Sequence, residues 1–212
     1  MFVRWEHLEK GRERQPALPS MSEPAVRTFD ATEALRIRFH EVHAKSAINA
    51  VPKASRMPFR WTVNPYRGCT HACRYCFARP THTFLDLNAR EDFEREIVVK
   101  VNVPELVRAE LRRPWWEGEL VALGTNTDPY QWVESRYRLT RGVLEAMRDH
   151  SNPSSVLTKS PLLLRDLDVF CDLAARAEFS ANLWCRPSTR RSGARPSRTP
   201  RTRGPGSRRS PS

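Results

Sequence analysis

The sequence predicts an α/β protein, in which strands and helices alternate along the chain. Two observations predict this class. Short apolar or alternating runs recur between residues 59 and 183, and amphipathic stretches of roughly ten residues separate them. Strands that alternate with helices of this length are typical of βαβ units, whose strands pair in parallel. The 212 residues are enough for one such domain with an added segment.

The first elements follow a charged amino-terminal segment. Residues 1–36 are polar, interrupted by proline and aperiodic, so we expect a loose lead-in there. Alternation of apolar and polar residues over 37–43 indicates a short strand or an extended arm. A second alternation over 59–63 predicts the first strand of a parallel sheet. The folded domain is therefore expected to occupy residues 37–185.

A helix and a buried strand are predicted next. Apolar residues over 103–112 recur at helical spacing, with Asn102 as a cap and Pro114 as the end of the helix. The four consecutive apolar residues at 120–123 predict a strand that is buried on both faces of a parallel sheet.

The same alternation continues to residue 183. It predicts a second helix over 139–147, a strand over 155–158, a third helix over 163–174 and a fourth strand over 179–183. Cys171 lies on the apolar stripe of the third helix, so we expect it in the core. Right-handed crossovers would place the loops after the strands along one edge of the sheet, where such sheets bind ligands.

The carboxy-terminal residues 186–212 have a different composition. They contain nine of the arginines and no acidic, aliphatic branched or aromatic residue, so a disordered basic tail is expected. The net charge of +12 belongs mostly to this tail, which makes it weak support for nucleic-acid binding by the domain. Two interpretations stay open: an arginine-rich arm that binds nucleic acid, or an out-of-frame product that follows truncation after the fourth strand.

Hydropathy indicates the compartment. No uncharged run approaches the roughly 18 residues that a membrane span needs, and the charged amino terminus is unlike a signal peptide. We predict a soluble, cytoplasmic protein without a membrane partner. In such a chain, clustered cysteines indicate a metal site rather than disulfides.

Cys69, Cys73 and Cys76 lie on one short loop, separated by three and then two residues. Three thiolates can hold three corners of a cubane iron–sulfur cluster, whose ordinary form has four cysteine ligands. Such a cluster would leave one iron open for another ligand. The alternative is a structural zinc site completed by His71 or His82, in a nucleic-acid-binding module with a basic arm.

The cysteine spacing, with an aromatic residue before the third cysteine, resembles the radical S-adenosylmethionine (radical SAM) superfamily. The stretches NPYRGC (64–69) and GTNTDPYQ (124–131) are similar to its spore photoproduct lyase-like branch, often labelled DNA repair photolyases. Residues 45–49 and 157–160 are also similar. The resemblance covers about residues 39–182.

This resemblance implies a partial radical SAM (β/α) barrel that binds a [4Fe–4S] cluster and S-adenosylmethionine. Cys69, Cys73 and Cys76 would be the cluster ligands. Reductive cleavage of S-adenosylmethionine would yield a 5′-deoxyadenosyl radical that abstracts hydrogen from a substrate, which is unknown. If the chain is truncated after the fourth strand, we expect it to bind the cluster poorly or to show little activity. The electron would come from a donor such as flavodoxin or ferredoxin, and nucleic acid is one class of substrate that the branch suggests.

The resemblance also implies contacts to S-adenosylmethionine. They are Tyr75 and Phe77 along the adenine, Thr125, Asn126 and Asp128 at the methionyl end, Lys159 for the carboxylate, and Ser180 through its hydroxyl. Two of these assignments have simpler alternatives: residues 125–128 as a turn whose Asp128 caps a helix, and Lys159 as a solvated lysine. No catalytic residue is assigned, because the lyase itself uses a cysteine near the second strand and this chain has none between Cys76 and Cys171.

Overall fold

Two β-sheets organise residues 25–184, the part of the chain that the computed structural model describes. The strands are β1 (Ala25–Arg27), β2 (Arg38–Val42), β3 (Ile48–Ala50), β4 (Trp61–Val63), β5 (Tyr66–Arg67), β6 (Glu96–Lys100), β7 (Val121–Leu123), β8 (Ser154–Thr158) and β9 (Phe179–Leu183). The α-helices are α1 (Glu91–Arg95), α2 (Val103–Leu111), α3 (Glu134–Tyr137), α4 (Leu139–Asp149) and α5 (Leu167–Ala174). Short 3₁₀ helices span Thr32–Ala34, Arg79–Leu85 and Pro161–Asp166.

The five-stranded sheet contains the βαβ units. Its strand order is β3-β4-β7-β8-β9, and β4, β7, β8 and β9 run parallel while β3 is antiparallel to β4. The four strands and three helices that the sequence predicts over 59–183 are therefore confirmed, and so is the α/β class. Both sheets are mixed, and the described residues form no closed barrel.

Packing of the helices on this sheet forms the main core. β7 is buried along its whole length, as its continuous apolar run predicts. Helices α2 and α4 pack against each other, and their buried faces include Val107 and Met147. Complete burial of each such side chain contributes about 1.5–3 kcal/mol. The apolar residues of these helices recur at the helical period, and they determine which face of each helix is buried.

The four-stranded sheet, in the order β1-β2-β6-β5, was only partly anticipated. The strand predicted over 37–43 is β2, which pairs in parallel with β6. The sequence prediction placed no element at β6, and it treated Ala25–Arg27 as part of a loose lead-in. β1 has no apolar pattern because all three of its side chains are exposed; pairing with β2 defines it. Residues 1–24 and the tail at 185–212 lie outside the described residues, so the predictions for them are untested.

The prediction that Cys171 lies in the core is wrong. It lies on α5 but is exposed, because the buried face of this helix is formed by Val169, Phe170 and Leu173. The predicted third helix starts as the 3₁₀ segment Pro161–Asp166 and continues as α5. The change in residues per turn shifts the apolar face, so an α-helical period drawn through both parts places Cys171 wrongly.

Candidate functional site

The cysteine loop follows β5 and begins with a glycine that the fold requires. Gly68 has φ +82°, and a Cβ atom there would lie 2.9 Å from the carbonyl oxygen of Phe93. The next backbone N–H, that of Cys69, donates a 2.9 Å hydrogen bond to the same oxygen. A side chain at Gly68 would disrupt this contact, so the glycine sets where the cysteine loop starts.

The loop after β7 is tied to the cysteine loop by buried hydrogen bonds. The hydroxyl of Thr127 donates to the Gly68 carbonyl at 2.6 Å, and the Gln131 side-chain amide donates to the same oxygen at 3.2 Å. The Gln131 side-chain oxygen accepts from the Thr70 N–H at 3.0 Å. Gln131 was missed by the sequence analysis, because a glutamine in a loop shows no sign of burial before the fold is known.

Asp128 connects three loops through one buried carboxylate. It accepts hydrogen bonds from the Thr158 hydroxyl at 2.6 Å, the Lys159 N–H at 2.8 Å and the Tyr130 N–H at 2.9 Å. His71 Nε2, from the cysteine loop, lies 3.2 Å from the same carboxylate, although the ring is not oriented for a regular hydrogen bond. Burial raises the pKa of Asp128, but His71 and the bonds from Thr158 and Lys159 outweigh it and hold the pKa below its usual value.

Lys159 lies against the cysteine loop rather than in bulk solvent. Its ammonium nitrogen is 3.1 Å from Cys73 Sγ and 3.1 Å from the Tyr75 hydroxyl. The rings of Tyr75 and Trp184 lie 4.9 Å and 4.5 Å from it, within cation–π distance. The contacts with Cys73 and then Tyr75 raise the pKa of Lys159 to about 12. Trp184 was not predicted as a site residue; it comes directly after β9, as a site residue on a parallel sheet would.

The three cysteines share the loop but are not gathered around one point. Cys69 is buried, and desolvation followed by the charge of Asp128 raises the pKa of its thiol to about 12. Cys76 packs beside Cys69, Ala78 and Phe93. Across residues 25–184, no three His, Cys, Asp or Glu side chains are placed to hold a metal ion. Three soft sulfur donors are the ligands that an iron–sulfur cluster requires.

The two histidines suggested as zinc ligands have other contacts. His71 faces Asp128, and buried His82 has its Nε2 3.0 Å from the Glu96 carbonyl oxygen while its ring packs against Phe93. Desolvation lowers the pKa of His82. Neither histidine therefore completes a group of metal ligands with the cysteines in this conformation.

The remaining predicted residues near the cysteine loop are Thr125 and Asn126, which Asn64 positions, and Tyr75 and Phe77, which are exposed. Asn64, which was not predicted, holds the start of the loop after β7: its side-chain oxygen accepts from the Asn126 N–H at 3.1 Å, and its amide lies 3.4 Å from the Thr125 hydroxyl. Tyr75 and Phe77 are 72% and 79% exposed and present aromatic surface beside the cysteines.

Ser180 is not brought to the cysteine loop. It is exposed and is the second residue of β9, where it pairs with Ser155 of β8. Trp184, which contacts Lys159, lies four residues further on, or about 13 Å along an extended strand.

Replacing Asp128 with asparagine tests its role as a connection. An amide in place of one carboxylate oxygen cannot accept from the Lys159 N–H, so we expect Asp128→Asn to lower the free energy of unfolding by about 1–3 kcal/mol at pH 7. A carboxyl with a depressed pKa stabilises the fold above its unfolded pKa, and this contribution is lost as pH falls through the folded value. Urea unfolding at pH 7 and near pH 3 measures both effects, with exposed Asp172→Asn as the control. A difference that does not shrink with acidification would contradict this account.

Comparison with known proteins gives relatives without an assigned function. The chain is 53% identical over 165 residues to uncharacterised proteins of Mycobacterium tuberculosis and Mycobacterium bovis; the match covers 77% of this chain and 48% of each relative. It is 31% identical over 137 residues to an uncharacterised protein of Methanocaldococcus jannaschii, covering 64% of this chain and 48% of that protein. The chain thus spans about half the length of the curated relatives it matches.

Two further comparisons found nothing. No family model matches the chain, and no solved structure matches it. Within residues 25–184, no helix has the length and apolar character needed to cross a membrane.

Proposed function

We propose that this chain binds a [4Fe–4S] cluster and S-adenosylmethionine as a radical SAM enzyme of the spore photoproduct lyase-like branch, acting on a substrate that is not identified. One observation carries the proposal: Lys159 Nζ, after the third parallel strand, lies 3.1 Å from Cys73 Sγ in the loop after the first. Asp128, after the second strand, contacts both of these loops. Three of the residues that the resemblance implies, Cys73, Asp128 and Lys159, therefore lie in loops that contact one another.

Cys69, Cys73 and Cys76 would hold the cluster. When bound, the cluster supplies the electron for reductive cleavage of S-adenosylmethionine and so the hydrogen-abstracting radical. A donor such as flavodoxin or ferredoxin and a cytoplasmic location belong to the same proposal, because the reduced cluster needs both an electron source and a reducing compartment.

Three features of this chain suit that ligand. The Lys159 ammonium can offset the charge of a thiolate and of a ligand carboxylate on the same side of the loop. The exposed rings of Tyr75 and Phe77 offer flat apolar surface to an adenine. Thr125 and Asn126 stand at the end of β7, where Asn64 holds them in place for polar contacts with the methionyl group.

Anaerobic reconstitution of the purified chain with iron and sulfide tests the proposal. We expect about four iron and four sulfide per chain, and loss of most of both in Cys73→Ser. Cys171→Ser, which removes an exposed cysteine far along the chain on α5, is the matched control and should keep them. Addition of S-adenosylmethionine should change the electron paramagnetic resonance spectrum of the reduced protein. One tightly bound zinc with no iron would overturn the proposal in favour of the zinc module.

A further inference from the structure

Two basic side chains lie together on the four-stranded sheet, on the face opposite its apolar core. β5 pairs antiparallel with β6, and Arg67 is opposite Val98. Lys100 is two residues from Val98, so it projects from the same face as Arg67. Diagonal neighbours of this kind are about 7–8 Å apart, within reach of long side chains.

No carboxylate within residues 25–184 forms an ion pair with either side chain, although both are partly buried. The hydrogen bond that Lys100 Nζ makes is to the Asn64 carbonyl oxygen, at 3.1 Å. Desolvation followed by the charge of Arg67 lowers the pKa of Lys100 to about 8.

The titratable groups near the pair either carry no negative charge or are bound by other side chains. His82, from the 3₁₀ segment Arg79–Leu85, is also basic, and the charge of Arg67 contributes to lowering its pKa. Asp92 of α1 acts on His82 but is not among the groups that act on Arg67 or Lys100. Glu96, on the same face of β6, is bound by Arg38 and His40.

Several other partly buried arginines form ion pairs, unlike Arg67. Each of the following has a carboxylate partner: Arg79 with Glu94, Arg141 with Asp166, Arg148 with Asp149, and Arg165 with Glu134. Two like charges that are held together and partly removed from water destabilise a protein unless an anion joins them. An anion that bound both Arg67 and Lys100 would remove this cost.

We propose that Arg67 and Lys100 form a binding site for the dianionic phosphoryl group of a ligand. Two positive charges match a phosphate monoester, which carries nearly two negative charges at neutral pH, better than they match a carboxylate. The guanidinium provides a planar pair of donors for phosphate oxygens, and the ammonium provides a point charge.

The site lies next to the candidate metal centre. Arg67 precedes Cys69 by two residues, and Lys100 contacts the carbonyl of Asn64, whose side chain holds Asn126. A phosphorylated ligand bound there would extend toward the cysteine loop. The proposal does not depend on a cluster, because the two cations belong to the sheet and not to the cysteine loop's sulfur atoms.

The test uses the purified, iron-free chain and inorganic phosphate as the probe. At about ten times its Kd, phosphate should raise the melting temperature by about 4 °C over chloride at equal ionic strength. Methyl phosphate should act like phosphate, whereas acetate and the monoanion dimethyl phosphate should act much more weakly. Lys100→Met should melt higher than the wild type without phosphate and lose the phosphate response, while exposed Lys53→Met should keep it.

Arg67→Gln provides a second variant if Lys100→Met does not fold, and it should also lose the phosphate response. The proposal is overturned if phosphate gives the wild type no more stabilisation than chloride or acetate does. It is also overturned if either variant responds to phosphate as the wild type does. A stronger response to dimethyl phosphate than to methyl phosphate would reject a dianion site in favour of a phosphodiester contact. Because iron is absent throughout, none of these results depends on whether the chain binds a cluster.

Discussion

Gly124→Ala is expected to destabilise the domain strongly. Gly124 follows β7 with φ +89°, and a Cβ atom there would lie 2.0 Å from the carbonyl oxygen of Leu157 in β8 and 3.2 Å from Pro129 Cδ. The obstacle is the backbone of a neighbouring parallel strand, which cannot move without breaking the sheet. We expect a loss of about 4 kcal/mol or more, a large part of the stability of an ordinary domain.

Circular dichroism during urea unfolding measures this loss. Gly118→Ala is the matched control, because Gly118 also has a positive φ, +71°, but no atom lies within 4 Å of the added Cβ. The control should lose only about 1–2 kcal/mol from backbone strain. Equal losses in the two variants would mean that strain, and not the approach of β8, makes glycine necessary at Gly124.

Glu134→Ala should cost about 3–5 kcal/mol, since it leaves the Tyr66 hydroxyl and two backbone N–H groups without their acceptor and removes one of the two carboxylates that bind Arg165. The fully buried carboxylate of Glu134 accepts hydrogen bonds from the Tyr66 hydroxyl, the Thr140 N–H at 3.0 Å, the Arg141 N–H at 3.3 Å and the Arg165 guanidinium at 3.1 Å. These donors come from β5 of the four-stranded sheet, from α4 and from the 3₁₀ segment after β8.

Glu134→Gln and Tyr66→Phe should lower the free energy of unfolding by smaller amounts than Glu134→Ala. The glutamine keeps the volume and one acceptor oxygen, so an intermediate loss is expected. The phenylalanine removes one hydrogen bond, which should cost about 1 kcal/mol. Chemical denaturation of all three variants under one condition gives the order. If Glu134→Ala were no less stable than Tyr66→Phe, the carboxylate would not be what joins these elements.

Much of the five-stranded sheet could be predicted because the patterns that indicate its strands and helices each lie within a short stretch of sequence. Apolar runs of four or five residues and helical stripes each lie within one element, and β7 and α2 were found within one residue of their bounds. The strand β6 was missed although it contains three consecutive β-branched residues. Its partner β2 lies 58 residues earlier, and no periodicity in the sequence records pairing at that distance.

The candidate site could likewise be predicted only where short motifs indicate it. The cysteine spacing, Asp128 and Lys159 were identified from short motifs, and the structure brings Asp128 and Lys159 to the cysteine loop. Asn64 and Gln131 lie in the stretches that carry the resemblance but were given no role, and Trp184 was missed, because their roles come from contacts between loops that are far apart in sequence. Whether the cysteines bind a cluster stays a prediction.

The contacts of the Asp128 carboxylate would couple the binding of different ligands at this site. Since the carboxylate ties together the segments that carry His71, Tyr130 and Lys159, these segments should gain or lose order as one cooperative unit. A molecule that immobilises any one of them lowers the entropic cost of engaging the others. If the cysteine loop binds a cofactor, its occupancy and the affinity for a second ligand nearby would be thermodynamically linked, and each would strengthen the other by the same factor.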